Sequence, residues 1–310
     1  MKVVFVASGN KAVGTVSAFV RSQFDSLAEA GVEMVMFPVV GHGVWGYLKH
    51  FFSLRRLIKK ERPDIVHAHY SVCGYLASLA SVGFRNKVVV SLLGSFPRKN
   101  RKLKIVRWCI DKVWDATIVK SERTRSQLDR PLPVIPNGVN IEKFKVMGQD
   151  EARKTVGFKD GVKYVIFVSN PARSEKCYPL AQKAVGALSD ANVTLVPVFD
   201  KTHDEVVTYM CAADVLLMTS ISEGSPNVIK EAMACNCPIV VTDVGDVHER
   251  LDGLEGCYIA GTRDVGELAD LLAKALRFGK RTEGRQALLM QGLTTHDIAE
   301  RIKAVYSSVL

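Results

Sequence analysis

The chain has 310 residues, 47% of them hydrophobic and 24% charged, with mean hydropathy +0.09. At roughly 100–200 residues per domain, that length implies about two domains, and the composition excludes a disordered, collagen-like or coiled-coil main architecture. The formal net charge of +10 is unevenly spread: residues 1–140 hold 22 Lys+Arg against 9 Asp+Glu, giving +13, and residues 141–310 hold 20 against 23, giving −3. A half with that positive excess points to an anionic partner: a membrane surface, a nucleic acid or a phosphate-bearing ligand.

The opening MKVVFVASGN has too short an apolar run for a secretory signal and is expected to form the first buried strand. No run approaches the ~18 apolar residues of a membrane-spanning helix. Further strands are expected at Met34–Val39, Ile65–His69, Val88–Leu92, Thr117–Val119 and Val134–Ile135, with helices near 15–30, 44–60, 73–82, 101–113 and 121–129. The strand runs are Val/Ile-rich and nearly continuous, as in parallel strands covered on both faces, and strand–helix alternation implies a doubly wound α/β sheet. Pro131, Pro133, Pro136 and the Asn137-Gly138 pair break the pattern and mark a junction near 131–145. Alternation then resumes, with strands at Tyr164–Val168, Thr194–Phe199, Val215–Met218 and Ile239–Val241. Helices are expected near 177–189, 203–212, 226–235, 265–278 and 295–308. The domains are read as 1–140 and 141–310, with the last helix free to return to the N-terminal one. The seven cysteines are odd in number, and Cys235-x-Cys237 lacks a second pair or a histidine at zinc spacing. Reduced structural thiols in a reducing compartment are expected ahead of a metal or redox role.

Ligands of open α/β sheets collect at the carboxyl ends of the strands, which selects four places. The loop SGNKAVGT offers Gly9 and Gly14 for close backbone approach, without G-x-G-x-x-G spacing, and these glycines equally serve as simple turns. In PDIVHAHY, His67 and His69 share a strand face, and His69 lies nearer the ligand end; a satisfied structural histidine is the alternative. Ser169–Lys176 follows a buried strand, and its Arg173 and Lys176 suit a diphosphate at a helix start, or belong to a solvated loop. The fourth is TSISEGSPNVIKEAMACNCPIVVTDVGDVHE. There Ser225 is placed to cap a helix with Pro226 at its first position, and the amides of Asn227 and Val228 make an anion site. Glu223 and Glu231 at different depths suit sugar hydroxyls, or are solvated charges.

The stretch Glu223-Gly-Ser-Pro-Asn-Val-Ile-Lys-Glu231-Ala-Met-Ala resembles the Glu-x7-Glu motif of retaining glycosyltransferases of family 4 (group 1), which have the GT-B fold. VIPNGVNIEKF resembles the interdomain signature of that family, with Asn140 where Asp is more common, and PDIVHAHY, SLLGS and TDVGDVHE have counterparts in order. The resemblance spans about the whole chain. It implies two Rossmann-like domains facing a central cleft and a nucleotide-sugar-dependent, hexosyltransferase-type enzyme. It places the acceptor on the N-terminal domain and the donor on the C-terminal one. Glu231 is then expected on the donor ribose and Glu223 on the transferred sugar. The backbone at Ser225, Pro226, Asn227 and Val228 would hold the diphosphate together with Arg173 and Lys176. His69 is expected beside the reacting sugar, and Gly14 near the phosphate. No metal or other cofactor is expected, since protein cations and a helix dipole offset the leaving charge, and a UDP-type donor is expected. Three departures stand out. Ser169-Asn170 replaces a Gly-Arg pair, Leu93-Gly94-Ser95 replaces a His-Gly-Ser pattern, and the interval from Leu195 to Val215 has room for only one strand and one helix.

Two segments of the basic half mix cations with apolar stripes. One is Val44, Tyr47, Leu48, Phe51, Leu54 and Ile58; the other is Leu103, Val106, Ile110 and Trp114, with Lys99, Arg101, Lys102 and Lys104 around its start. Either the stripes pack on the sheet while the cations snorkel, or the face docks on anionic lipid. No nucleic-acid recognition motif is present. The leading expectation is therefore transfer of a sugar to a lipid-linked or cell-surface polysaccharide acceptor, in cell-envelope biosynthesis, by a cytoplasmic enzyme held peripherally on the inner face of the plasma membrane. The alternatives are a non-catalytic sugar-nucleotide binding protein at the membrane, a GT-B-like epimerase, or a phosphorylase, which would need a pyridoxal lysine.

Overall fold

The computed structural model describes residues 1–10, 14–94 and 101–310. The chain divides into two compact units, residues 1–138 with 295–310, and residues 139–294.

The first unit is a five-stranded parallel sheet: β1 (Lys2–Ser8), β2 (Glu33–Val39), β3 (Ile65–His69), β4 (Lys87–Leu92) and β5 (Ala116–Val119), in the order β2-β1-β3-β4-β5. Alternation along β1 feeds two cores. Val4 and Val6 pack under α3 (Phe51–Glu61), α4 (Ser71–Ser81) and α5 (Arg101–Lys112). Val3, Phe5 and Ala7 pack under α1 (Ala18–Glu29) and α14 (Thr295–Val309). The final helix thus completes the first unit, with Ile298, Ile302 and Tyr306 buried on it. The stretch expected as one helix over 44–60 is two, α2 (Gly43–Leu48) and α3. The break falls at Lys49 and His50, where the His50 ring reaches the Val40 carbonyl at 2.9 Å. Val134–Ile135 is not a strand: Val134 forms a single bridge to Val119, because prolines at 133 and 136 leave no amides to continue a ladder. α6 (Glu122–Leu128) is capped by Ser121, whose hydroxyl accepts from the Thr124 amide.

The second unit repeats the design: β6 (Lys163–Phe167), β7 (Val193–Pro197), β8 (Val215–Met218), β9 (Ile239–Thr242) and β10 (Cys257–Ala260), ordered β10-β9-β8-β6-β7. Helices α7 (Gln149–Val156), α9 (His203–Ala212), α10 (Asn227–Ala234), α11 (Val247–Leu251) and α13 (Gly284–Met290) are joined by α8 (Tyr178–Gly186) and α12 (Val265–Phe278), which pack on the other face. Short amphipathic runs hid α7, α11, α13 and β10 from the sequence reading. Between β7 and β8 only α9 intervenes, started by a reciprocal capping box of Thr202 and Glu205.

Candidate functional site

In each sheet the strand order reverses once, and the crevice outside the carboxyl ends at that reversal is where such sheets bind ligands. In the first unit the reversal lies between β1 and β3, in the second between β6 and β8.

At the second reversal the loop after β6 meets the loop after β8. A turn of 3-10 helix (Ser174–Lys176) leads into α8, and Lys176 donates to the carboxylate of Glu223 in a half-buried ion pair. Backbone bonds fix both loops. The Ile221 amide donates to the Glu175 carbonyl at 2.8 Å, and Thr219 Oγ1 donates to the carbonyls of Lys176 and Cys177, each at 3.0 Å. Arg263 braces the same turn through the Ser220 and Thr219 carbonyls. A small niche of about 10 Å³ opens over these strand ends, lined by Ser169, Lys176, Ser220 and Val228 among others. Ser220 Oγ is buried there without a hydrogen-bond partner. Arg173 is exposed and donates to Glu175 at 2.8 Å, so Lys176 is the cation held against Glu223.

α10 begins one residue later than expected. Pro226 precedes the helix, Asn227 is its first residue, and no side chain caps it. Ser225 is not the cap: its hydroxyl is engaged with Asp246 and Lys230. The first-turn amides of Val228 and Ile229 have no acceptor within the helix and face its positive end. One turn in, Glu231 keeps part of its surface open, and burial pushes its carboxyl up to about 7 against the pull of neighbouring Lys230.

At the first reversal β3 delivers two histidines on one face, their ring centroids 4.8 Å apart. His67 is structural: its Nδ1 lies 2.6 Å from the Tyr306 hydroxyl and its Nε2 2.8 Å from Ser91 Oγ. Burial lowers its pKa to about 3. His69 is equally buried, packed 4.4 Å from the Phe5 ring, yet neither ring nitrogen has a hydrogen-bond partner. Burial first, then the charges of His67 and Lys120, hold its pKa well below the ordinary value, so it is a neutral imidazole. Gly14 follows β1 with φ +81°, its amide donating to the Gly9 carbonyl at 3.0 Å. A side chain at Gly9 would stand 2.9 Å from Pro38 Cβ, so this loop needs glycine to lie against β2.

The membrane candidates divide. Lys104 is exposed on α5, Lys99 lies outside the described residues, and so do the side chains of Arg101 and Lys102. Leu54, Ile58, Leu103 and Val106 are core, so they are not a docking face. The exposed large apolar residues near the cations are instead Trp45 (84%) and Phe52 (75%) on α2 and α3, and Ile105 and Trp108 (60%) on α5. Among the described residues no helix is long and apolar enough to cross a membrane, and no group of three or more His, Cys, Asp or Glu is placed to hold a metal ion. The sequence reading missed Lys230, Asp246 and Arg263, which a sequence pattern reports only as charges near helix starts.

Two Rossmann-like units, each with polar groups gathered at its strand reversal, define the GT-B architecture of glycosyltransferases. Residues 12–143 match the family model described as Glycosyltransferase Family 4 and residues 144–277 the one described as Glycosyl transferases group 1. The chain belongs to this family, and it is a nucleotide-sugar-dependent glycosyltransferase. It is 22% identical to the N-acetyl-alpha-D-glucosaminyl L-malate synthase of Bacillus anthracis, over 83% of this chain and 78% of that protein. It is 24% identical to the putative teichuronic acid biosynthesis glycosyltransferase TuaC of Bacillus subtilis, over 60% of this chain and 54% of that one. It is 25% identical to the D-inositol 3-phosphate glycosyltransferase of Mycolicibacterium smegmatis, over 69% of this chain and 59% of that one. Among solved structures, a sucrose-phosphate synthase from Thermosynechococcus elongatus superimposes with TM-score 0.80 at 18% identity, covering 100% of this chain and 99% of that one. Anabaena HepE in complex with UDP-glucose gives TM-score 0.80 at 16% identity, covering 99% and 100%.

Proposed function

We propose that the chain transfers a hexosyl group, with retention of configuration, from a UDP-type sugar to a lipid-linked or cell-surface polysaccharide acceptor presented at an anionic membrane face. The observation that carries the donor reading is the convergence of Lys176, Glu223 and the start of α10 at the strand reversal of the second sheet. In this reading the Glu231 carboxylate accepts from two ribose hydroxyls. Lys176, with Arg173 and the backbone of Ser225–Val228, faces the diphosphate. The leaving diphosphate gains charge as the glycosidic bond breaks, and fixed cations with a helix N-terminus stabilise that charge without reorganising. Glu223 then contacts the transferred sugar, with Lys176 exchanging its partner for phosphate as donor enters. His69, neutral and with unspent ring nitrogens, is assigned to the reacting sugar, and Gly14 to the approach toward phosphate.

The UDP reading draws support from the structural neighbour bound to UDP-glucose, and the envelope reading from the relative named for teichuronic acid. Two further relatives are named for L-malate and inositol phosphate, which are small anions. With the +13 of residues 1–140, they favour a soluble anionic acceptor as the second reading. A thermal-shift screen of nucleotide sugars tests the donor: a ligand at ~100 Kd stabilises the fold by about 2.7 kcal/mol, and no shift with any UDP-sugar would sink the donor assignment. Co-sedimentation with vesicles separates the acceptor readings. Binding to anionic but not neutral vesicles, lost in high salt, supports the membrane; no binding to either supports the soluble acceptor.

A further inference from the structure

α10 carries a charge inside the fold. Lys230, the residue before Glu231, is fully buried, and its helix neighbours Ile229, Ala232 and Met233 are core. Lys230 Nζ donates to Ser225 Oγ at 2.7 Å, and Ser225 Oγ donates in turn to Asp246 Oδ2 at 2.7 Å. Asp246 is buried as well, with Arg250 Nε 3.2 Å from the same oxygen. Arg250 is itself tied to Gln291 Oε1 at 2.8 Å. Backbone contacts close the assembly. Gly245 has φ +61°, and a Cβ there would lie 2.8 Å from the Gly224 carbonyl oxygen and 3.1 Å from Pro226 Cδ. The turn 224–226 is therefore pressed between the 243–246 loop and the Lys230 ammonium.

Burying an ion pair is weak evidence for stability, since apolar side chains of similar volume commonly serve as well or better. A lysine in this core needs another reason, and the turn it pins is the one between Glu223 and α10. We propose that Lys230 is a positioning residue of the donor site, its buried ammonium fixing the Gly224–Pro226 turn while standing as the positive charge beside Glu231. The inference rests on the assignment of Glu231 to donor binding. Asp246, Arg250 and Glu231 are the charged groups that act electrostatically on Lys230, and Lys230 acts on Glu231. α13, which packs on α10, brings Arg285 to the Ala234 carbonyl at the far end of the helix and to the Phe144 and Ile141 carbonyls. Burial lowers Lys230 to about 8 while Asp246 holds it up, so it is largely cationic at neutral pH, where it opposes the rise of Glu231.

Calorimetric titration of the full chain with UDP between pH 5.5 and 8.5 tests this, using Lys230→Met, Glu231→Ala and the double variant Lys230→Met/Asp246→Asn. Lys230→Met is expected to weaken UDP binding roughly tenfold at pH 7. It should also raise by about one unit the pH at which affinity reaches half its maximum. The double variant removes both buried charges together. It should recover the melting temperature yet keep the raised midpoint, which a purely structural lysine would not move. If Lys230→Met folds and binds UDP with wild-type affinity and midpoint while Glu231→Ala weakens binding, the positioning role is overturned and the donor assignment stands. If Glu231→Ala binds like wild type, the donor assignment itself fails. Should the single variant not fold, a wild-type midpoint in the double variant overturns the proposal.

Discussion

The two strand reversals share a topology and differ in chemistry. The first unit ends β3 in a dry, neutral imidazole pair: His67 spends its ring on Tyr306 and Ser91, and His69 spends its ring on nothing. The second unit ends β6 and β8 in charges: Lys176 against Glu223, with Glu231 and buried Lys230 on the helix that follows. The same backbone plan therefore ends in neutral, buried imidazoles in one unit and in paired charges in the other. A doubly wound sheet sets where a site forms; the side chains at the strand ends set what it takes.

The comparison predicts its largest effects on turnover. His69→Ala and Glu223→Gln should each lower kcat by roughly 10²–10³, while UDP affinity changes far less, because both are assigned to the sugar. Steady-state kinetics with the true acceptor checks this, and turnover near wild type would remove these roles. Next in size is donor affinity. Glu231→Ala should weaken UDP binding at least ~tenfold, the worth of charged hydrogen bonds of about 1.5–3 kcal/mol. In the unaltered chain, binding draws on the ionised carboxylate, so affinity should rise with pH up to about 7 and level off above it. A flat calorimetric profile from pH 5.5 to 8 would contradict that.

The units should also respond oppositely to acid. His67 titrates near 3 when folded and near 6.5 when unfolded, so the unfolded chain binds the extra proton between those values. Its stabilising contribution is intact above about 6.5 and falls with acidification, by at most about 1.4 kcal/mol per pH unit. His69 adds in the same direction. Glu231 is raised to about 7, so its folded form binds the extra proton between about 4.5 and 7, and the second unit gains from the same acidification, less steeply because the group keeps some contact with water. Hydrogen exchange at pH 5 and pH 7 should show amides of β3 losing protection relative to those of α10; parallel changes would break the contrast. Smaller still, replacing Lys99, Arg101, Lys102 and Lys104 with Glu should abolish binding to anionic vesicles, at about 1 kcal/mol per cation, and leave UDP affinity intact. Smallest, Thr202→Ala should cost about 1 kcal/mol by opening the α9 capping box, measured by urea unfolding.

Hydrophobic periodicity and punctuation sufficed for most of the architecture. Val215–Met218, His203–Ala212 and Val265–Phe278 fall where the pattern placed them, because long apolar runs and flanking caps are local properties of the chain. Short elements such as α11 and β10, at five and four residues, carry too little period to be seen. The break between α2 and α3 is made by a contact from His50 to Val40, which no local pattern contains.

By itself the sequence determined two α/β halves, their charge asymmetry, and the Glu223–Glu231 spacing that marks the family. Those are properties of composition and of neighbours along the chain. Tertiary structure alone decided that α14 completes the first unit, that Ser225 serves Asp246 instead of capping α10, and that Lys176 rather than Arg173 meets Glu223. It also decided that Leu54, Ile58, Leu103 and Val106 are core while Trp45, Phe52 and Trp108 face outward. Each of these depends on which distant segment a side chain reaches, and on whether water is excluded there, and the energy of a charge or a hydrogen bond is set by that environment rather than by the residue type.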